Sequence, residues 1–262
     1  MHDRIPTSNC LISTHVRHRL ATVTVRSDVL IWVRGGTKTL HNPRETLEVS
    51  ANGALAVAQG AQWDITNDPM PHGRYEALIL QFGDDVLHEF DRRYKADFLF
   101  NPLADSMKIS ADAELCQTVL RATDTLGVPS ASTRMKQHRV MEVLLLLAER
   151  GCVFHSTDEV SWPDKVRRLV SQRPHEDWSL EQVANCFHMS ASTLQRRLRE
   201  FDVTVGDLVR ETRLEVALML LQSTSMPVGE VAQRCGYDSH SRFSAAFRTR
   251  YGFLPSYLRS AD

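Results

Sequence analysis

Ser179-Leu180-Glu181-Gln182-Val183-Ala184-Asn185-Cys186-Phe187 and Pro227-Val228-Gly229-Glu230-Val231-Ala232-Gln233-Arg234-Cys235 decide the fold of this chain. In the first, Leu180, Val183, Ala184 and Phe187 fall at i, i+3, i+4 and i+7. In the second, Val228, Val231, Ala232 and Cys235 repeat that spacing 48 positions later. An apolar stripe at this period is one face of an α-helix. Each stretch ends in a polar break, His188-Met189 or Gly236-Tyr237, and a second short amphipathic segment with arginines follows. That is helix–turn–helix written twice. The second helix of such a unit fits the major groove of DNA, so two copies predict one monomer reading two successive grooves.

The flanks of each copy agree. Ser179 with Gln182 makes a capping box, in which each side chain satisfies the other's backbone N–H. Ser190 caps the next segment, whose inner face is expected to hold Leu194, Leu198 and Phe201 and whose outer face holds Ser192, Gln195, Arg196 and Arg199. Arginine pairs with guanine and glutamine with adenine in the major groove. In the second copy Pro227 stands at the helix start, where its missing N–H costs nothing. Asp238 or Ser239 caps the following segment. Phe243, Ala246 and Phe247 face inward there, leaving Ser239, His240, Ser241, Arg242, Ser244 and Arg248 outside. Leu194/Leu198 map onto Phe243/Phe247 with a shift of 49, so the second turn is one residue longer. Between the copies Thr204 and Asp207 cap a helix from about Val205 to Leu221, with Leu214, Ala217, Leu218 and Leu221 on one stripe. At 1.5 Å per residue it spans roughly 25 Å. That length suits two recognition helices about one DNA turn apart, roughly 34 Å.

The 262 residues suffice for two cores, and a charged content of 24% is ordinary for a globular protein. Net charge is −1 overall, with 14 Lys/Arg against 12 Asp/Glu in residues 162–262. DNA affinity must therefore come from local clustering. Met1-His2-Asp3-Arg4 leads into no signal core, and no apolar run is longer than Val143 to Ala148, which is too short for a bilayer. Cys10, Cys116, Cys152, Cys186 and Cys235 show no zinc or redox spacing. Cys186 and Cys235 read as small apolar fillers within helices, and a reducing cytoplasm is the expected location.

Residues 21–82 read as short strands: Val23, Val25, Val29, Ile31 and Val33 are expected to alternate with polar or charged partners, then Thr46–Val49, Ala54–Ala58, Trp63–Thr66 and Ala77–Phe82 follow between turn signals. Helices come next. One carries Leu115, Val119, Ala122 and Leu126, and another is opened by Ser132 or Thr133 and runs to about Arg150. The second has a wide apolar face, which is either sandwiched in the core or shared with a second subunit through residues 132–150. The barrel could hold a small-molecule effector, or serve packing and dimerisation alone. His41, His72 and His88 stand singly, without an H-x-H pair, and read as surface or turn histidines rather than metal ligands. No nucleophile motif or phosphate loop is present, so no metal, cofactor or catalytic residue is assigned and no enzyme is expected. After a boundary at Gly151 to Ser161, Pro163-Asp164 start a new helix, with Asp164 as its N-cap and Pro174 just past its end.

The second motif, Pro227-Val228-x-Glu230-Val231-Ala232-x-x-Cys235-Gly236-Tyr237, then Phe243-x-x-x-Phe247-Arg248, then Tyr251-Gly252-Phe253-x-Pro255-Ser256-x-x-Arg259, closely resembles the DNA-binding domain of AraC/XylS-type transcription regulators. Arg213-Leu214-Glu215-x-Ala217-x-x-Leu220-Leu221 fits their linker helix, and the resemblance spans residues 165–259. Residues 21–150 look more distantly like that family's N-terminal arm. The resemblance implies seven helices gripping one face of double-stranded DNA at a promoter. It implies an activator working with RNA polymerase. By position it puts base contacts on Ser192, Gln195, Arg196, His240, Ser241 and Ser244, while Arg197, Arg242 and Arg248 suit phosphates. Arg197 reads equally well as a solvated surface charge. Ala245 stands where a basic residue is common, so the first copy is expected to carry more base specificity. Asp202 replaces a common glycine, so a differently built turn is expected there.

The fold class expected is α+β: a small N-terminal β-barrel of cupin type with helices, followed by an all-α domain with two helix–turn–helix motifs joined by a long linker helix. The domains are 1–150 for effector binding or dimerisation, 151–161 as linker, and 162–262 for DNA. Two rivals are a cupin-type metal enzyme fused to a DNA-binding tail and a sensor protein whose helix–turn–helix units no longer bind DNA.

Overall fold

The computed structural model describes residues 7–71, 73–94, 96–98, 101–154 and 161–259. They fall into two compact units, up to residue 154 and from residue 161. Most of the expected linker and His72 lie outside the described residues.

The first unit carries strands β1 (Ser8–Thr14), β2 (His18–Thr24), β3 (Val29–Gly35), β4 (Thr37–His41), β5 (Thr46–Ser50), β6 (Gly53–Val57), β7 (Gln62–Asp68), β8 (Tyr75–Gln81) and β9 (Ser106–Ser110). Helices α1 (Asp84–Tyr94), α2 (Ala113–Gly127) and α3 (Thr133–Glu149) complete it. The strands form two antiparallel sheets, ordered β1-β8-β3-β6-β9 and β2-β7-β4-β5.

Side chains alternate across a strand, and the first sheet uses both faces. On β3, Ile31 and Val33 join a core with Leu40, Val49, Leu55, Trp63 and Tyr75. Leu30 and Trp32 point the other way, with Ala54, Ala56, Leu78 and Leu80, into a second core that α1, α2 and α3 close. The expected alternation with polar partners is therefore absent from β3: Leu30 and Trp32 make Val29 to Val33 an unbroken apolar run, because this sheet is covered on both faces.

The strand region is wider than residues 21–82. β1 and β9 lie at the two edges of the first sheet, where β9 buries only Ile109. An edge strand packing so few side chains leaves little apolar periodicity to read. The wide apolar face of α3 lies in the core. Val140, Met141, Val143, Leu144, Leu147 and Ala148 are all buried within this unit, and Met135 is the exposed apolar residue of the helix. Ser132 is its N-cap, with Oγ accepting from the N–H of Met135. His41 Nδ1 lies 2.8 Å from Thr46 Oγ1, and His88 Nδ1 2.6 Å from Asp84 O. Among the described residues no group of three His, Cys, Asp or Glu could hold a metal ion, and no helix is long and apolar enough to cross a membrane.

One buried polar chain lies within this unit. Lys38 Nζ donates to Asn67 Oδ1 at 2.8 Å and lies 3.4 Å from Tyr75 Oη. Asn67 Nδ2 lies 3.3 Å from His18 Nε2, and His18 Nδ1 lies 3.1 Å from Val16 O. A neutral imidazole protonated on Nδ1 satisfies both of its bonds; protonating Nε2 would set two donors against each other. Burial pushes Lys38 down to about 7 and His18 down to about 4.

Both groups therefore bind protons more tightly in the unfolded chain, so stability rises with pH through each window. For Lys38 the window runs from about 7 to its ordinary 10.5. The slope there is at most about 1.4 kcal/mol per pH unit. Lys38→Met is expected to abolish the rise, as read by amide hydrogen exchange of β4 and β7 at matched denaturant across that range. An unchanged slope would show that Lys38 is hydrated in the native unit.

Candidate nucleic-acid interface

The second unit holds α4 (Trp162–Gln172), α5 (Leu180–Cys186), α6 (Ala191–Arg199), α7 (Val205–Ser223), α8 (Val228–Arg234), α9 (His240–Tyr251) and a terminal 3-10 turn, Pro255–Arg259. Ser161, rather than Asp164, caps α4: its Oγ accepts from the Asp164 N–H, so the helix begins at Trp162, earlier than Pro163-Asp164 suggested. The capping boxes at Ser179/Gln182 and Thr204/Asp207 both form. Pro227 takes the N-cap of α8, and Ser239 caps α9.

The two units close alike. After α5, Met189 N donates to Ala184 O and His188 N to Asn185 O. After α8, Tyr237 N donates to Ala232 O and Gly236 N to Gln233 O, the same bonds 48 positions on. This closure needs a left-handed residue, which is His188 (φ 53°) in one copy and Gly236 (φ 76°) in the other. The turns differ by one residue, 187–190 against 235–239, as the shift of 49 requires. Asp202 has φ 52°, the left-handed conformation that a glycine would take there, three residues beyond the end of α6, whose C-cap is Glu200; α9 instead ends directly on left-handed Gly252 (φ 83°).

A first core joins Val166, Leu169, Val170, Trp178, Val183, Ala184, Leu194 and Leu198 to Val205, Leu208 and Val209 of α7. In the second copy Val231, Ala232, Cys235, Phe243 and Phe247 are buried, as are Leu214, Ala217 and Leu221 of α7. Burial pushes the Cys235 thiol up to about 12, in keeping with an inert filler. Two inward expectations fail. Phe201 is 47% exposed, because α6 ends at Arg199 and the helical period stops before reaching it; Val203 packs against the core instead. Cys186 is exposed, because α5 buries only Val183 and Ala184.

The outer faces are as expected. Ser192, Gln195, Arg196 and Arg199 are exposed along α6. His240, Ser241, Arg242, Ala245 and Arg248 are exposed along α9, and Ser244 is half-buried. Arg197 is set apart: its guanidinium lies 4.2 Å from the centroid of the Trp162 ring, over which Lys165 also sits at 4.4 Å. Trp162 in turn meets Phe187 edge-on.

Most other arginines of this unit are engaged. Arg167 pairs with Asp164 and Glu211, Arg173 with Glu176, Arg210 with Asp207, and Arg234 with Glu230. Arg213 donates to Pro174 O and Glu176 O, and Arg259 to Leu221 O and Met226 O. The side chains of Arg196, Arg199, Arg242 and Arg248 make no hydrogen bond or ion pair among the described residues. All four belong to α6 or α9. Sequence reasoning missed the inward roles of Arg197 and Arg213, since nothing local distinguishes them from their outward neighbours.

Gly236 is constrained twice over. Its φ is left-handed, and a Cβ there would come within 2.7 Å of Arg213 Nη2 and of Pro174 O. Gly236→Ala is expected to cost about 1–3 kcal/mol in urea unfolding of the second unit. No loss would mean that the turn relaxes freely.

Residues 183–261 match a family model described as a helix-turn-helix domain, and residues 28–152 one described as the ExsA N-terminal regulatory domain. The chain is 30% identical over 112 residues to the HTH-type transcriptional regulator AdiY of Escherichia coli K12, covering 43% of this chain and 41% of that one. It is 37% identical over 97 residues to the ornithine utilization regulator of Pseudomonas aeruginosa, covering 37% and 29%. The chain thus spans less than half the length of either relative. Unsaturated-fatty-acid-bound wild-type ToxT from Vibrio cholerae shares the fold, with a TM-score of 0.61 at 13% identity over 97% of this chain and 94% of that one. The two matched regions stand in tandem, a regulatory domain ahead of a helix–turn–helix domain, which is the arrangement that the resemblance to AraC/XylS-type regulators implies.

Proposed function

We propose that this chain is a sequence-specific, double-stranded-DNA-binding transcriptional activator, acting in the cytoplasm, whose two helix–turn–helix units read successive major grooves. The observation that carries it is the placement of unpaired charge: Arg196, Arg199, Arg242 and Arg248 all extend from the second helices of the two units. Unpaired guanidinium groups are the side chains that exchange counterions with phosphate and fork onto guanine.

Base contacts fall to Ser192, Gln195 and Arg196 of α6 and to His240, Ser241 and Ser244 of α9. Ala245 is exposed on α9, so α6 carries more of the specificity. Arg242 and Arg248 hold phosphates. Arg197 is reassigned from phosphate to bracing α6 against α4 through Trp162. RNA polymerase is the partner this role requires.

The first unit is proposed as the regulatory arm. The match to a regulatory domain and the fold shared with a fatty-acid-bound relative support a small-molecule effector there. Homodimerisation through residues 132–150 belongs to the same proposal, with Met135 as the apolar surface residue of α3. The cupin-type metal enzyme is not favoured: the N-terminal half matches a regulatory domain.

Selection of binding sites from random duplex DNA by the full-length protein tests the reading. An asymmetric motif about two helical turns long is expected; no enrichment, from the whole chain or from residues 162–262, would overturn it. On the selected site Arg196→Ala is expected to cost about 1–3 kcal/mol and relax preference at one base pair. Equal loss on all sequences would move Arg196 to the phosphate group. Arg248→Ala is expected to weaken all DNA alike and reduce the salt slope by about one unit. An unchanged slope would remove Arg248 from the backbone contacts.

A further inference from the structure

We infer that Arg213 sets the angular phase between the two recognition helices, and with it the half-site spacing that the protein accepts. The inference rests on the DNA-binding reading above.

Arg213 lies near the middle of α7, between the two cores that the helix serves. The first core takes Val205, Leu208 and Val209 from one half of the helix; Leu214, Ala217 and Leu221 are buried along the other. Its guanidinium makes two bonds in one direction, Nε to Pro174 O at 2.8 Å and Nη2 to Glu176 O at 2.9 Å. Both carbonyls belong to the loop that leads from α4 into α5. The same guanidinium lies against the Cα of Gly236, where a Cβ would sit 2.7 Å from Nη2 and 2.8 Å from Cζ. Pro174 O abuts the same point. Gly236 is the left-handed residue of the turn between α8 and α9.

One side chain thus joins the entry of the first helix–turn–helix, the linker helix and the turn of the second. Apolar packing on α7 resists separation of the units but only weakly resists rotation about the helix axis. A planar guanidinium bonded to two fixed carbonyls and seated on a backbone fixes rotation as well. Lysine, with one rotatable ammonium and no plane, would supply less of this. Arg213 is a positioning residue: it acts on DNA through α6 and α9.

The test uses the full-length protein and the duplex it selects from random sequence, rebuilt with two base pairs added or removed between the half-sites. Two base pairs turn one half-site by roughly 70° about the DNA axis. Wild-type protein is expected to lose on the order of tenfold in affinity on either change. Arg213→Gln is expected to lose less than about threefold, with binding to the first half-site alone unchanged. Arg213→Lys should fall between, and it decides the matter if Arg213→Gln does not fold. Val170→Ala thins the first core; it should lower the melting temperature and keep the full spacing penalty, which separates positioning from stability. The inference is overturned if folded Arg213→Gln or Arg213→Lys keeps the wild-type penalty, or if wild-type protein needs both half-sites yet tolerates either spacing. Failure of the wild-type chain to select any site would instead remove the DNA-binding reading, and this inference with it.

Discussion

Burial against α7 is the constraint on which the second unit depends. Helix α5 has seven residues, α6 nine and α8 seven. Helices this short are not stable alone in water, because nucleation costs more than two turns of hydrogen bonds return. Each must be held by packing: α5 and α8 lie on the 19-residue α7, and α6 lies on α5 and α4, which themselves pack on α7. Its two halves serve different cores, so each helix–turn–helix becomes stable only when bound to the same rod. The distance between two grooves' worth of side chains therefore follows from folding itself. Ser179 and Ser190 settle the N-termini of α5 and α6, and left-handed residues close the turns after α5 and α8.

The first unit meets a different constraint. Its first sheet is sandwiched between the second sheet and three helices, so its central strands can spare few polar side chains on either face. The second sheet has one covered face, and it contributes Lys38, His18 and Asn67 to the interior. A buried lysine held by neutral partners is costly. The chain from Val16 through His18 and Asn67 to Lys38 meets that cost by satisfying donors and acceptors in series rather than by supplying a counter-charge.

Much of this was legible in the sequence, wherever a feature is local. Apolar spacing located α2, α3 and the helices of both copies; Ser179/Gln182 and Thr204/Asp207 located two caps to the residue. The 48-to-49 shift alone implies the longer second turn. Failures gather where tertiary context decides. Edge strand β9 has too little buried surface to produce a pattern. Phe201 continues an apolar stripe whose helix has already stopped. Asp202 adopts the glycine conformation that its side chain disfavours, because Val203 must return to the core. Lys38 looks like an ordinary solvent-facing residue in an alternating strand and is buried.

Charge shows the same limit most clearly. A balance of +2 over residues 162–262 is almost no signal for a nucleic-acid module. Composition counts every arginine equally, while the fold does not. Arg213 and Arg259 are spent on backbone carbonyls, Arg197 on an indole face, and Arg167, Arg173, Arg210 and Arg234 on carboxylates. Those carboxylates, among them Asp164, Glu176, Asp207, Glu211 and Glu230, are in turn neutralised away from α6 and α9. What remains unpaired on the two recognition helices is positive. A nearly neutral chain can thus present a locally cationic face, and because few charges compose it, discrimination by base contacts need not be swamped by indiscriminate attraction to phosphate.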